Sequence, residues 1–331
     1  MLFALSAALA APKLDPVSFE SPPAEPWRPT AVLGATRVPV PGEGPEDIEV
    51  LLDGRVVVGV EGGDLLAWDG EWTTLANTGG RPLGMDLAKD GTLIVADADK
   101  GLLAVSSTGE ISVLATECGG RPLVFTDDVE LGPDGMIYFS DASTKWGQGQ
   151  WKEDLLEAGP YGRLCSYDPL SGEVVELVDG LHFANGVAVD PAGRFVLVNE
   201  TSRYRVTKVN LDDLRTEVLV DDLPGFIDGI SSDGDRYWIA VASPRNELID
   251  ALSEKPKLRA RLLRIPEPLQ PKPEHTARII AIDAQGEVLH DLFDPQGRDI
   301  VVITSVQVRG DRIYLGSLTD EAFAWAPAPK Y

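Results

Sequence analysis

Glu46, Asp127, Asn185 and Asp228 occupy one register of a repeated segment, each opening a short apolar stretch that runs toward a glycine turn. The stretches read Glu46-Asp47-Ile48-Glu49-Val50, Asp127-Asp128-Val129-Glu130-Leu131, Asn185-Gly186-Val187-Ala188-Val189 and Asp228-Gly229-Ile230. Two further copies, starting at Leu83 and Thr304, carry no acid at that position. If the repeats stand around an axis, equivalent positions converge on it, and three carboxylates meet one amide. Such a set of oxygen donors suits a hard cation.

The elements that would position these groups are strands. Turn glycines at Gly54, Gly91, Gly135, Gly193, Gly234 and Gly310 are each followed by a β-branched or aromatic run, such as Thr92-Leu93-Ile94-Val95 or Phe195-Val196-Leu197-Val198. A further pair of short strands follows in most copies, so one unit is four strands over about 40 residues. Six copies predict an all-β, six-bladed β-propeller with a central metal site, the register lying on the innermost strand of each blade. The last copy is short of a strand, and the segment from Ala31 to Val40 is expected to complete it. One segment, Arg245 to Leu263, has apolar residues at helical spacing and ends in the Pro-rich run from Pro266 to Pro273. It reads as a helical insertion: a rim helix, a lid over the channel mouth, or a surface that touches membrane. Residues 1–29 read as an N-terminal lead-in and 30–331 as a single domain.

With 29 Lys plus Arg against 53 Asp plus Glu, the 331-residue chain carries a formal charge of −24. That excludes nucleic acid as a natural partner and favours solubility, while also concentrating divalent cations. Cys118 and Cys165 fall in different repeats and read as two free buried thiols or one bridge, free thiols being the expected state. The apolar run from Met1 to Ala11 lacks the basic flank of a secretory signal and the length of a membrane span. If it is the stump of a signal or anchor, the expected location is the bacterial periplasm or a membrane surface; otherwise it is the cytoplasm. Oligomeric state is not legible here.

Several strings carry a resemblance: Gly80-Arg81-Pro82-Leu83-Gly84, Val95-Ala96-Asp97-Ala98-Asp99-Lys100-Gly101-Leu102, Ile137-Tyr138-Phe139-Ser140-Asp141-Ala142-Ser143, Phe183-Ala184-Asn185-Gly186-Val187 and Asp294-Pro295-Gln296-Gly297. In this combination the chain resembles the strictosidine synthase-like and adipocyte plasma membrane-associated branch of the calcium-dependent propeller hydrolases. More remotely it is similar to gluconolactonase/regucalcin, paraoxonase and diisopropyl fluorophosphatase. The resemblance implies a calcium in the central channel held by Glu46, Asp127, Asn185 and Asp228, and hydrolysis of a small-molecule lactone or carboxylic (aryl) ester, with Asp228 as nucleophile or base. Family members generally have Asn where this chain has Asp127. The added charge should tighten Ca²⁺ binding and weaken its Lewis acidity. True strictosidine synthases have a catalytic Glu at the position of Thr304, whose hydroxyl cannot accept the proton that condensation needs.

Other residues have two readings. His182, three positions before Asn185, is a candidate base near the channel mouth or a packed polar residue. Asp128 is a group orienting its neighbour or a solvated turn residue. Asp97, Asp99 and Asp141 are expected to cap loops at the far end from the site. Trp146 and Trp151, in the excursion from Ser143 to Gly159, line a substrate pocket or anchor that loop. The competing view of the whole molecule is a non-catalytic propeller scaffold with a structural calcium; a condensing enzyme is disfavoured by Thr304.

Overall fold

Strand-forming runs separated by glycine turns cannot bury both faces alone, so they stack as blades. The computed structural model describes residues 13–21 and 27–329, so the Met1–Ala11 segment lies outside the described residues. Six four-stranded antiparallel sheets are present. Their inner strands are Ile48–Val50, Pro82–Leu87, Thr126–Leu131, Ala184–Val189, Gly225–Ser232 and Ile303–Arg309. Each inner strand touches those of the two neighbouring blades, the sixth returning to the first, so the ring is closed. Closure is sealed as expected: Thr36–Pro39 adds antiparallel to Ala322–Pro327, with Thr36 opposite Trp325. Apolar faces meet between blades. Ile94, Val129 and Phe139 join the second and third, and Leu197, Val206, Ile230 and Ile239 join the fourth and fifth.

The helical insertion is present but broken. Glu247–Ala251 (α2) follows its cap Asn246, whose side chain accepts from the Leu248 and Ile249 amides. Pro256 has no amide hydrogen to continue the helix and instead starts a separate turn, Pro256–Arg259 (α3), followed by the 3₁₀ stretch Ala260–Arg264. These pieces pack against Trp151–Glu157 (α1) through Leu156, Ile249 and Leu262. Together they cover the channel mouth, as the lid reading expected. The extended lead-in straps this lid. Val17 N–H donates to the Glu157 carbonyl at 2.9 Å and Phe19 N–H to Ser253 at 3.3 Å. The fully buried Arg259 donates to the carbonyls of Val17, Leu156 and Ser253.

The cysteine expectation is overturned: Cys118 and Cys165 form a disulfide. A two-residue hairpin, Glu117–Cys118 with Arg121–Pro122, leaves the second blade and folds over the third strand of the third blade, where Cys165 sits. Their 47-residue separation in sequence concealed that contact.

Candidate active site at the channel mouth

The inner strands share a local irregularity that explains the register. Pairing with the second strand is interrupted between Pro82 and Met85, Thr126 and Val129, Ala184 and Val187, Ile227 and Ile230, and Ile303 and Val306. Two residues per blade are thereby freed from the ladder and re-aimed. The first of each pair, Leu83, Asp127, Asn185, Asp228 or Thr304, faces the axis, joined by Glu46 just ahead of the first inner strand; all six line the axial cavity. The second packs sideways on the next blade. Gly186 and Gly229 are needed there because a Cβ would lie 2.4 Å from the Ile230 nitrogen and 2.6 Å from the Thr304 carbonyl.

Where the second residue is acidic it ties strands together. Asp47 accepts from the Met85 amide at 2.7 Å and Asp128 from the Val187 amide at 2.8 Å, each reaching the following blade. Asp128 therefore braces the strand that carries Asn185, in line with its orienting reading. Phe183 and Val302, each two positions ahead of a register residue, hold left-handed backbone at φ 56° and 49°. Such strain costs roughly 1–3 kcal/mol per residue and is held only where the surroundings over-determine it.

Glu46, Asp127, Asn185 and Asp228, with Leu83, stand where the axial channel meets a second cavity beneath the lid, since these five line both. Burial pushes the carboxyls of Asp127 and Asp228 well above the usual range, and nearby acids push them further: Asp228 and Glu46 act on Asp127, and Glu46 acts on Asp228. The Asn185 side chain donates to Asp228. Burial also raises Glu46, but there Arg81 opposes it. Arg81 Nη2 donates to Glu46 Oε2 at 2.7 Å and Nη1 to the Gly44 carbonyl at 2.9 Å.

Among the described residues no three His, Cys, Asp or Glu side chains close on one point as a finished metal cage. The donors ring a shared cavity instead. Three buried carboxylates and an amide oxygen, with one guanidinium in contact, form an oxygen-rich, electron-rich set that fits a hard dication.

Other expectations divide. His182 does not line either cavity: its Nδ1 lies 3.1 Å from the Ala158 carbonyl, its backbone N–H donates to Glu200, and burial lowers its pKa to about 4. Trp151 lines the lid cavity, whereas Trp146 is buried with its indole N–H on Glu157. Asp97 and Asp141 do not cap the far end. They end second strands opposite Pro82 and Thr126, at the site end, because antiparallel pairing returns the second strand to where the first began. There Asp141 accepts from the Val124 and Phe125 amides, and Asp97 from those of Arg81, Asp99 and Lys100. Asp99 sits in that same turn. Thr304 donates its hydroxyl to the Glu46 carbonyl at 2.7 Å, so it fixes the backbone of a donor residue. Arg81 joins the site although sequence reasoning did not place it there; its spacing from Glu46 gives no hint that they pair across blades.

Comparison with known proteins bears on this geometry. Residues 127–214 match the family model "Strictosidine synthase" and residues 30–68 match "Strictosidine synthase-like, N-terminal". The adipocyte plasma membrane-associated protein of Bos taurus is 32% identical over 302 residues, covering 83% of this chain and 73% of that protein. The chain belongs to the strictosidine synthase-like family. The family's Arabidopsis thaliana member Protein STRICTOSIDINE SYNTHASE-LIKE 7 is 36% identical over 248 residues, or 73% of this chain. The chain spans 66% of that relative's length. A gluconolactonase of Xanthomonas campestris, at 14% identity and a TM-score of 0.65, covers 93% of this chain and 99% of its own, and shares the propeller fold.

Proposed function

We propose that the protein is a Ca²⁺-dependent hydrolase of small-molecule lactones or carboxylic (aryl) esters. The observation that carries this reading is the placing of Glu46, Asp127, Asn185 and Asp228 at the floor of a lidded cavity of about 1140 Å³ including its open mouth. The gluconolactonase with the same fold supports it, as does the resemblance of the chain's motifs to those of calcium-dependent propeller hydrolases. Bound by these four side chains, Ca²⁺ would polarise a substrate carbonyl and stabilise negative charge developing on its oxygen.

The chain's own residues supply the rest. Asn185 turns its amide N–H toward Asp228, which leaves the Asn185 oxygen for the cation and fixes the Asp228 carboxylate. Asp228 would either attack the carbonyl carbon, expelling the ester alcohol and leaving an acyl-Asp228 anhydride that water cleaves, or take a proton from a water that adds to that carbon and expels the alcohol. The lid limits access of bulk water. Thr304, with its proton donated to Glu46, offers no base for an amine–aldehyde condensation.

The test is turnover of aryl acetates and a panel of lactones by the full chain, with Ca²⁺ and after chelation. Metal-dependent hydrolysis that Asp228→Asn lowers by at least about 100-fold, with an unchanged circular dichroism spectrum, is the expected result. No metal-dependent turnover on any of them, together with a chelation-induced loss of thermal stability, refutes the reading in favour of a scaffold with a structural ion.

A further inference from the structure

The lid cavity has two apolar cheeks. In one, Leu83, Phe125 and Phe183 pack with Trp151; in the other, Leu155, Phe226, Ile249 and Leu262 pack together. Leu83 is the register position of the second blade, so the ring of donors is interrupted on the side of the first cheek.

Several polar side chains in these walls are committed to the backbone, while Gln148 and Lys152 line the cavity beside Trp151. Thr201 Oγ1 donates to the Ile227 carbonyl at 2.7 Å, and Gln270 Nε2 to the Ile265 carbonyl at 2.9 Å. Asn246 Oδ1 accepts two amides of α2. The Ser243 hydroxyl accepts from the Glu274 amide at 3.0 Å and faces the Pro244 carbonyl at 3.4 Å. Lys272 and Glu274 are exposed and mark the open side.

Such walls discriminate by what they fail to offer. A polyhydroxylated ring entering here gives up water and meets few free donors or acceptors, whereas an alkyl or aryl arm gains from every carbon buried. We propose that the cavity selects a carbonyl substrate bearing an unbranched alkyl or an aryl arm, lodged between the two cheeks, and rejects sugar lactones. The reacting group is taken from the hydrolase reading above; the preference for an apolar arm rests on the walls alone.

Two measurements separate these ideas. The first is kcat/KM of the Ca²⁺-loaded protein on δ-lactones with n-alkyl substituents of increasing length, against glucono-δ-lactone. Expected is a rise of about fourfold per added methylene until the arm fills the cavity, equivalent to about 0.8 kcal/mol each. Glucono-δ-lactone should fall at least about 100-fold below the best alkyl lactone, the scale of two hydroxyls left unpaired. The second is calorimetric binding of 2-alkylcyclohexanones, which have the carbonyl and the arm but no bond to hydrolyse. Their Kd should follow the same gradient.

If no lactone turns over but the ketone gradient persists, the hydrolase reading fails and the apolar selection stands. A flat gradient in the ketones, or glucono-δ-lactone rivalling the alkyl lactones, overturns the selection whatever the hydrolase result. Leu155→Gln, at a half-buried position on α1, should flatten the ketone gradient. If that variant does not fold, Phe226→Gln from the blade side of the same cheek makes the same test.

Discussion

Arg81 occupies an unusual place: a cation packed against one donor of a site that should itself hold a cation. Replacing it with Met keeps the length and apolar body of the side chain and removes the guanidinium. The pair is well buried, with side-chain exposures of 5% and 11%, and its contact is 2.7 Å. Removing one partner of a buried pair costs about 3–5 kcal/mol, because the other charge is left uncompensated. Without calcium, Arg81→Met should suffer that full loss. With calcium bound, Glu46 recovers a counter-charge, and what remains is the bond from Nη1 to the Gly44 carbonyl, worth about 1–2 kcal/mol.

The difference, about 2–3 kcal/mol, must by linkage appear as tighter calcium binding, about 30- to 150-fold. The assay is urea denaturation of wild type and variant with excess Ca²⁺ and with chelator, paired with calorimetric titration of Ca²⁺. Calcium affinity that is unchanged or weaker in Arg81→Met, or equal stability losses in both conditions, would refute this reasoning. Weaker affinity would mean that Arg81 serves chiefly to hold Glu46 in position.

Two further expectations concern the frame around the site. Asp154 of α1 is fully buried with no hydrogen-bond partner at ordinary distance for either carboxylate oxygen; burial raises its pKa from 3.8 to about 7, Ser143 partly offsetting it. The folded state therefore holds this proton more tightly than the unfolded chain, and its contribution is present below pH 3.8 and lost as pH rises to about 7. Asp154→Asn should be more stable than wild type at pH 8 by an amount on the order of 4 kcal/mol, shrinking toward pH 4, as read from urea midpoints; a pH-independent difference would contradict the assignment. The Cys118–Cys165 bridge closes a 47-residue loop, and replacing both cysteines by Ala should lower stability by about 4 kcal/mol in the chain-entropy picture, with chemical denaturation as the measure. A loss under about 1 kcal/mol would mean that the loop is already ordered in the unfolded chain.

The six blades and the four donors are legible in the chain itself because both are properties of a periodic sequence. A turn glycine followed by β-branched residues specifies a strand wherever it occurs, and repetition at a constant interval leaves few closed architectures. The register then carries Glu46, Asp127, Asn185 and Asp228 to the axis by symmetry, and Ala31–Val40 to the open edge of the last blade. The positions of Asp97 and Asp141 are not legible in this way, because spacing alone does not say at which end of a blade an antiparallel second strand finishes. The lid is half legible: helical spacing marks residues 245–263, but Pro256 divides that stretch, and nothing local couples it to α1 or to the strap at Val17.

What only the fold decides is every pairing between positions remote in the chain and unrelated by the repeat. Arg81 meets Glu46 from the next blade, Cys118 reaches Cys165 through a hairpin that leaves the sheet, and the second cheek of the cavity brings Leu155 of α1 together with Ile249 of α2. The physical reason is the same throughout. Backbone periodicity is encoded residue by residue through local sterics and burial, whereas side-chain partners across blades are chosen only when the ring closes and sets their distances. The chain's own pattern made a propeller with an oxygen-lined axis; the closed ring made the charge balance at Glu46 and the apolar walls above it.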